Sequence, residues 1–223
     1  SCIDRNGNGV IDTSDNSMPG QAATAIPWPT DKPNDPPDEC ILWMTPLTPN
    51  SYPRAAGYNA GFAEGDTYIY IGLYSNRQVV RLDQRTGKIL KTIDVSPAMP
   101  YGLVIDKNAD VWVRGAEGSL ARIQVSKADA VEIFSGSLAP PCPYGIAADA
   151  RGFIYTAGST CVSRLDPVAR TWEKLDLRSY GSSFTRGLAL DSKNQLWVAD
   201  TSAGMFHVDA SGPVMVYKGK TAN

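Results

Sequence analysis

A repeat of about 42 residues constrains the fold of this chain more than any other feature. The motif PYGLVIDKNADVWV begins at Pro100, recurs as PYGIAADARGFIYT from Pro143, and recurs in altered form as TRGLALDSKNQLWV from Thr185. Two columns of residues keep spacings of 43 and 42: Tyr101, Tyr144 and Arg186 form the first, and Trp112, Tyr155 and Trp197 form the second. A period of this length is typical of helical arrays and of four-stranded propeller blades.

The pattern of apolar residues within one repeat favours strands over helices. A short apolar run ends at Asp106, a turn follows at 107–110, and Val111-Trp112-Val113 resumes the β-branched and aromatic pattern of a pleated sheet. Two further stretches, 120–124 and 131–134, alternate apolar with polar residues. Each repeat therefore carries four short strands, and the sequence predicts an all-β propeller of four-stranded blades.

Four complete blades are predicted, at about 52–96, 97–139, 140–181 and 182–219. Before them, residues 40–47 are predicted to form a lone outer strand, so 40–223 is assigned to the propeller. Residues 1–39 are interpreted as an insertion that holds a calcium loop and a segment with six prolines between Pro19 and Pro37. Propellers usually close with four to eight blades, so these four either close alone or, as we expect, belong to a longer propeller.

The N-terminal stretch from Asp4 to Asp15 has the spacing of a twelve-residue calcium loop. Calcium takes six to eight oxygen ligands, supplied here by side chains at alternate positions and one backbone carbonyl, with a glycine at position 6, which is Gly9. The predicted ligands are Asp4, Asn6, Asn8, the Val10 carbonyl, Asp12 and Asp15. The stretch resembles the loop of EF-hands and, more closely, that of dockerins, although no helix pattern and no second copy follow it.

Composition excludes some functions and indicates a compartment. The formal net charge is −2 and no basic stripe is present, so no nucleic-acid partner is expected. No apolar run reaches the roughly 18 residues of a membrane span, and we expect a processed or truncated chain that is secreted, periplasmic or on the cell surface. Four cysteines allow three pairings, of which Cys2 with Cys40 and Cys142 with Cys161 are favoured; the alternative is that some remain thiols.

The three repeat motifs resemble those of the NHL and streptogramin lyase-like propeller superfamily, and the resemblance extends over nearly the whole chain. It implies the fold but not one activity, because many functions share propellers. Streptogramin lyases use a metal with histidine and glutamate near the axial opening, and this chain has one histidine, His207. Gluconolactonase-type propellers often have Asn where this chain has Tyr101 and Tyr144, which argues against a lactonase.

His207 and the repeated aspartates have structural interpretations. His207 occupies the repeat position that holds Arg81, Arg122 and Arg164 in the other blades, so we interpret it as structural, with a catalytic role as the alternative. The repeated aspartates end strands before turns, where Asp usually bonds the turn backbone. They are Asp106, Asp149 and Asp191.

Four residues stand at the entry of the innermost strands and define the candidate binding site: Arg54, Tyr101, Tyr144 and Arg186. Arginine matches carboxylate or sulfate groups and tyrosine stacks on sugar rings, so the expected ligand is anionic or sugar-like. The alternative is that the tyrosines are packing spacers. We interpret the chain as a non-enzymatic binding or assembly module with Ca²⁺ as its cofactor. Its expected partners are a protein, a glycan or an anionic small molecule, within an extracellular assembly. The alternative is a metal-dependent lyase or lactonase.

Overall fold

The computed structural model describes residues 2–13, 38–59 and 68–221, and these residues form an all-β structure. Sixteen strands lie in four antiparallel sheets of four, and each sheet takes its strands from one stretch of the chain in sequence order. The prediction of four-stranded propeller blades is confirmed. No helix in the described ranges is long and apolar enough to cross a membrane.

The first two blades span Pro53 to Phe134. Blade 1 consists of β1 (Pro53–Asn59), β2 (Tyr68–Leu73), β3 (Gln78–Asp83) and β4 (Ile89–Asp94). Blade 2 consists of β5 (Pro100–Ile105), β6 (Val111–Gly115), β7 (Leu120–Gln124) and β8 (Ala130–Phe134), with a 3₁₀ turn at Val125–Lys127.

The other two blades span Gly145 to Lys220. Blade 3 consists of β9 (Gly145–Ala148), β10 (Ile154–Gly158), β11 (Cys161–Asp166) and β12 (Thr171–Asp176). Blade 4 consists of β13 (Thr185–Leu190), β14 (Gln195–Asp200), β15 (Gly204–Asp209) and β16 (Val216–Lys220). Two 3₁₀ turns, Gly136–Leu138 and Arg178–Tyr180, precede blades 3 and 4.

The hydrophobic core lies between neighbouring blades, because successive side chains of a strand point to opposite faces of its sheet. In β6, Val111 and Val113 pack with Tyr70 and Val79 of blade 1. Trp112, between them in sequence, packs instead with Ile154 of blade 3 and its neighbours. The alternation explains why both faces of the inner strands are apolar.

The innermost strands contact one another in the order β1, β5, β9 and β13, and β1 and β13 make no comparable contact. The described residues therefore form an open arc of four blades, with one face of blade 1 and one face of blade 4 at its ends. A cluster on the free face of blade 1, built on Leu73, Val80 and Leu82, is covered in part by Leu47.

Residues 41–48 form no strand pairing in this structure. They lie instead against the turn between β3 and β4, where the Trp43 Nε1 donates to the Gln84 carbonyl at 2.8 Å and the Thr45 hydroxyl donates to the Gly87 carbonyl at 2.6 Å. Gly87 is required there, because a Cβ at this position would lie 2.3 Å from the Trp43 ring. The assignment of 40–47 to a further blade stays a prediction.

The two favoured disulfides, Cys2–Cys40 and Cys142–Cys161, are both formed, and no free cysteine remains among the described residues. The first joins the N-terminal loop to the segment that precedes the propeller. The second joins the approach to β9 with β11. The predicted proline-rich segment from Pro19 to Pro37 and the sixth calcium ligand, Asp15, lie outside the described residues.

Candidate functional site

The four residues predicted at the innermost strand entries come together at the edge where the innermost strands of the four blades begin. Arg54 lies in β1, Tyr101 in β5 and Arg186 in β13, and Tyr144 directly precedes β9. We call these four residues the axial cluster. At its centre the Tyr101 and Tyr144 hydroxyls are 2.6 Å apart, and the two rings meet edge to face with centroids 4.9 Å apart.

The two arginines of the axial cluster stack on the tyrosines and remain exposed. The Arg54 guanidinium lies 5.8 Å from the Tyr101 ring centroid, and that of Arg186 lies 5.1 Å from the Tyr144 centroid. Arg186 also donates to the Tyr144 hydroxyl at 2.9 Å. In the described part of the chain neither arginine forms an ion pair with a carboxylate. Both positive charges therefore face solvent, and no carboxylate of the described ranges neutralises them.

Two further aromatic residues extend the cluster, and the repeat comparison missed them. Tyr74, after β2, meets Tyr101 edge to face at 6.3 Å, and Phe184, before β13, meets Tyr144 at 5.9 Å. Arg54 lies 5.7 Å from the Tyr74 ring and Arg186 lies 5.0 Å from the Phe184 ring. The position of Tyr74 follows from the antiparallel pairing of β1 with β2, because the end of β2 lies beside the start of β1, where Arg54 is.

The Tyr101 and Tyr144 hydroxyls are hydrogen-bonded to each other, and either oxygen can be the donor. This hydrogen bond raises the pKa of the Tyr101 hydroxyl, and the same bond, aided by the Arg186 guanidinium, lowers the pKa of the Tyr144 hydroxyl. The Tyr144 oxygen also accepts from Arg186, so this hydroxyl is hydrogen-bonded to both the second tyrosine and the guanidinium group. With the two guanidinium groups, the cluster presents hydrogen-bond donors suited to an oxygen-rich anion.

The backbone around Tyr144 and Arg186 is held closely. The Cys142–Cys161 disulfide lies two residues before Tyr144. The hydroxyl of buried Thr185 donates to the Cys161 carbonyl at 3.0 Å, and a Cβ at Gly145 would lie 2.4 Å from the Arg186 carbonyl oxygen. Because β9 and β13 approach each other closely, the backbone that carries the Tyr144 and Arg186 side chains is held in place.

His207 lies in β15, outside the axial cluster. Its ring stacks on Trp197 with centroids 4.4 Å apart, and its Nε2 lies 2.9 Å from the Gln195 side-chain oxygen. Trp197 pairs with His207 across the strands as Trp112 pairs with Arg122, so the shared repeat position is confirmed.

The repeated aspartates bond the turn backbone, as predicted. Asp106 accepts from the backbone N–H groups of Asn108 and Asp110, and Asp149 and Asp191 accept in the same way in the later blades. They are structural residues of the turns between the first two strands of blades 2, 3 and 4.

The predicted calcium loop has its polar side chains folded inward on one another. The Asn6 and Asn8 amides donate to the same Asp12 oxygen at 2.7 and 3.0 Å. Asp4 accepts the Gly7 and Gly9 backbone N–H groups at 2.7 and 2.8 Å, and both glycines have positive φ.

These residues fit a calcium ion in their chemistry. The Asn6 and Asn8 side-chain oxygens accept the backbone N–H groups of Asn8 and Val10 at 2.9 and 2.8 Å, and amide and carboxylate oxygens are the ligands that calcium takes. In the described ranges no three His, Cys, Asp or Glu side chains come together, and Asp15 is outside those ranges. Calcium binding therefore stays a prediction.

Glu39 supports this loop and was missed by the sequence comparison. It is 3% exposed, and its carboxylate accepts the backbone N–H groups of Arg5, Asn6 and Asp12 at 2.7, 3.2 and 2.9 Å. Only its position beside Cys40, the partner of Cys2, hinted that it lies near the loop.

Comparison with solved structures identifies the fold as that of known β-propellers. No family model matches the sequence and no curated protein matches it. Among solved structures, a streptogramin B lyase matches with a TM-score of 0.62 and 21% identity over 79% of this chain and 57% of the lyase. A catalytically inactive virginiamycin B lyase from Staphylococcus aureus with quinupristin matches with a TM-score of 0.60 and 18% identity, over 78% of this chain and 57% of that lyase.

A WD40 propeller matches with a lower TM-score. The WD40 propeller domain of Doa1 matches with a TM-score of 0.53 and 14% identity over 67% of this chain and 48% of that domain. This chain thus spans a little over half the length of the lyases it matches. At these sequence identities the similarity establishes the fold alone. In its fold, this chain is a β-propeller similar to those of the streptogramin B lyases.

Proposed function

We propose that this chain is a secreted, calcium-stabilised propeller module that binds an oxygen-rich anion at the axial cluster. The observation that carries the proposal is the convergence of two exposed arginines, which form no ion pair among the described residues, with the hydrogen-bonded Tyr101 and Tyr144 hydroxyls at the edge where the four innermost strands begin. Arginine forks match carboxylate and sulfate, and tyrosine faces suit sugar rings. The ligand class is therefore a carboxylated or sulfated glycan or a small anionic metabolite.

Titration of the protein with sulfated and uronate oligosaccharides, followed by calorimetry, tests this site. The variant Arg54→Ala with Arg186→Ala is expected to weaken binding at least tenfold, because charged hydrogen bonds contribute about 1.5–3 kcal/mol each. Tyr144→Phe, which keeps the ring and removes the donor, should weaken it less.

Arg170→Ala is the matched control, because Arg170 is a half-exposed arginine at the opposite end of blade 3 that pairs with Glu132. Equal binding by the axial double variant and the wild-type protein would refute the axial site. An equal loss of ligand affinity in Arg170→Ala would show that binding depends only on the net charge of the protein.

The extracellular location is supported by two disulfides, which persist in oxidising compartments. A match to an extracellular domain from B. thetaiotaomicron is consistent with it, with a TM-score of 0.53 and 15% identity over 73% of this chain and 23% of that one. Retention of both disulfides in protein isolated from its native source would support this location, and reduced thiols there would contradict it.

Calcium is proposed as a structural ion of the Asp4 to Asp15 loop. A dissociation constant of roughly 10⁻⁴ to 10⁻³ M is expected, as for extracellular modules. Asp4→Ala with Asp15→Ala should abolish the heat of calcium binding, because it removes the first and last carboxylates of the loop. Asp94→Asn, at an exposed aspartate in blade 1, should leave binding unchanged. No heat in the wild-type protein would refute the site.

The second candidate function is a metal-dependent lyase, favoured by the fold match to streptogramin B lyases. His207 stacks on Trp197 away from the axial cluster, which argues for a structural role. Cleavage of quinupristin by the purified chain, lost in His207→Arg at unchanged melting temperature, would favour the enzyme over the binding module.

A further inference from the structure

Glu39 is a buried carboxylate outside the calcium loop whose contacts lead into that loop. One carboxylate oxygen accepts from the Arg5 and Asn6 backbone at 2.7 and 3.2 Å, and the other accepts from the Asp12 backbone at 2.9 Å. The Glu39 backbone N–H also donates to the Asp12 carbonyl at 2.8 Å. Glu39 thus spans the second, third and ninth positions of a loop that begins at Asp4.

These bonds join the loop backbone to a residue outside the loop, whereas the side chains of the predicted ligands bond one another and backbone N–H groups within the loop. The Glu39 carboxylate could therefore bind the ion itself only by giving up its three hydrogen bonds to the loop backbone. Charge-assisted hydrogen bonds of this kind are stronger than neutral ones. They hold the start of the loop and Asp12 at a fixed separation, which is what a set of oxygen ligands requires.

The same segment is attached to the propeller on its other side. Arg5 donates to the Asp38 carbonyl at 3.4 Å and also to the Ile41 carbonyl, and Cys40 is bonded to Cys2. Two residues after Ile41, the Trp43 indole bonds the turn between β3 and β4. A continuous set of contacts therefore runs from the loop through Glu39 and the 38–41 segment to blade 1.

We propose that Glu39 is a positioning residue that holds the loop in its cation-binding shape and couples cation binding to the seating of Trp43 on blade 1. The inference rests on the calcium site proposed above. Glu39 contacts the loop directly and belongs to the 38–41 segment that leads to Trp43. A change in the loop on cation binding is therefore transmitted through Glu39 to Trp43. Its role is to fix backbone geometry, and it does not contact the ion.

Calorimetric titration of the full chain with calcium chloride tests the first half. Glu39→Gln is expected to raise the calcium dissociation constant at least tenfold, as loss of supporting hydrogen bonds around metal ligands typically does. The amide keeps the size of the side chain but replaces one acceptor oxygen with a donor that faces a backbone N–H. The matched control is Glu117→Gln, since Glu117 also accepts a backbone N–H, from Met99 at 3.0 Å, but in blade 2.

The indole N–H resonance of Trp43, assigned by its loss in Trp43→Phe, tests the second half. Calcium is expected to shift this resonance in the wild-type protein and in Glu117→Gln, and to shift it much less in Glu39→Gln at the same calcium concentration. Saturating calcium should restore the shift in Glu39→Gln, which separates a weakened site from a misfolded protein.

The outcomes distinguish the two proposals. Absence of calcium binding by the wild-type protein overturns both. Wild-type binding with an unchanged dissociation constant in Glu39→Gln overturns the role of Glu39 and leaves the calcium site standing. Weakened binding with a Trp43 resonance that never responds to calcium overturns the coupling to blade 1.

Discussion

At the scale of single residues, Asp200 organises the loop that leads into the last innermost strand. Its carboxylate accepts hydrogen bonds from the loop before β13 and from the turn after β14. The donors include Ser182 Oγ at 2.7 Å, and the backbone N–H groups of Phe184, Ser202 and Ala203 at 3.0 Å. Phe184 and, two residues later, Arg186 of the axial cluster are thereby fixed.

These hydrogen bonds make the stability of the protein depend on pH. Partial burial acts to raise the pKa of Asp200, but the backbone of Ser202 and the hydroxyl of Ser182 outweigh it and hold the pKa far below its ordinary value of 3.8. A carboxyl group with a depressed folded-state pKa stabilises the protein above the ordinary pKa, and the contribution is lost as the pH falls towards the folded value.

Asp200→Asn is expected to lower the free energy of unfolding by about 1 kcal/mol at pH 7, after allowance for solvent screening. Because the wild-type protein itself loses this contribution in acid, the difference should narrow below pH 3.8. Urea denaturation at pH 7 and in the acid range measures both values. The control is Asp94→Asn. The exposed Asp94 carboxylate accepts the Ser96 N–H, so this change should lower the free energy of unfolding by less. A difference that widens in acid would contradict the assignment.

At the scale of elements, each blade repeats one arrangement, an aromatic residue on the second strand facing a cationic or imidazole residue on the third. The pairs are Tyr70 with Arg81, Trp112 with Arg122, Tyr155 with Arg164, and Trp197 with His207. The first three aromatic side chains are fully buried, whereas Trp197 is partly exposed. The difference follows from position, because no blade among the described residues covers that face of blade 4.

Trp112→Ala is expected to cost about 3–5 kcal/mol of unfolding free energy, as for a large side chain removed from a packed core. It also leaves the buried Asp106 oxygen without the indole N–H that lies 2.8 Å away. Trp197→Ala should cost less than half as much. Urea denaturation of both variants makes the comparison. Equal costs would show that the face of blade 4 is covered in solution.

The sequence predicts these repeated elements well and predicts their exceptions poorly. Strands, turns and the position of His207 follow from periodicity, because residues with equal spacing occupy equal places in each blade. Arg114 does not follow, since the corresponding positions of blades 3 and 4 hold Ala157 and Ala199. It is fully buried, and burial lowers its pKa to about 10. Tyr74 and Glu39 were also missed, because each acts through a contact that only the fold brings about.

At the scale of the whole molecule, the arc is a series of blades that each pack on the next, with cores at the three contacts between them. The axial cluster takes one residue from each of the four blades, so its shape depends on the relative placement of all four. The predicted calcium loop is instead connected to the rest of the protein through one disulfide, the buried Glu39 and the segment that contacts the first blade. The two proposed sites are thus expected to respond to different mutations.

The order of the strands also bears on how the protein forms during synthesis. Each blade is a continuous stretch of sequence, so its sheet can assemble as soon as that stretch leaves the ribosome, without waiting for distant partners. Trp43 is an exception, because its bonding partner Gln84 lies 41 residues later in the chain. Trp43 can therefore take its native position only after most of the first blade has been made, whereas the contacts of the N-terminal loop with Glu39 and Cys40 join residues that precede Trp43 and can form earlier.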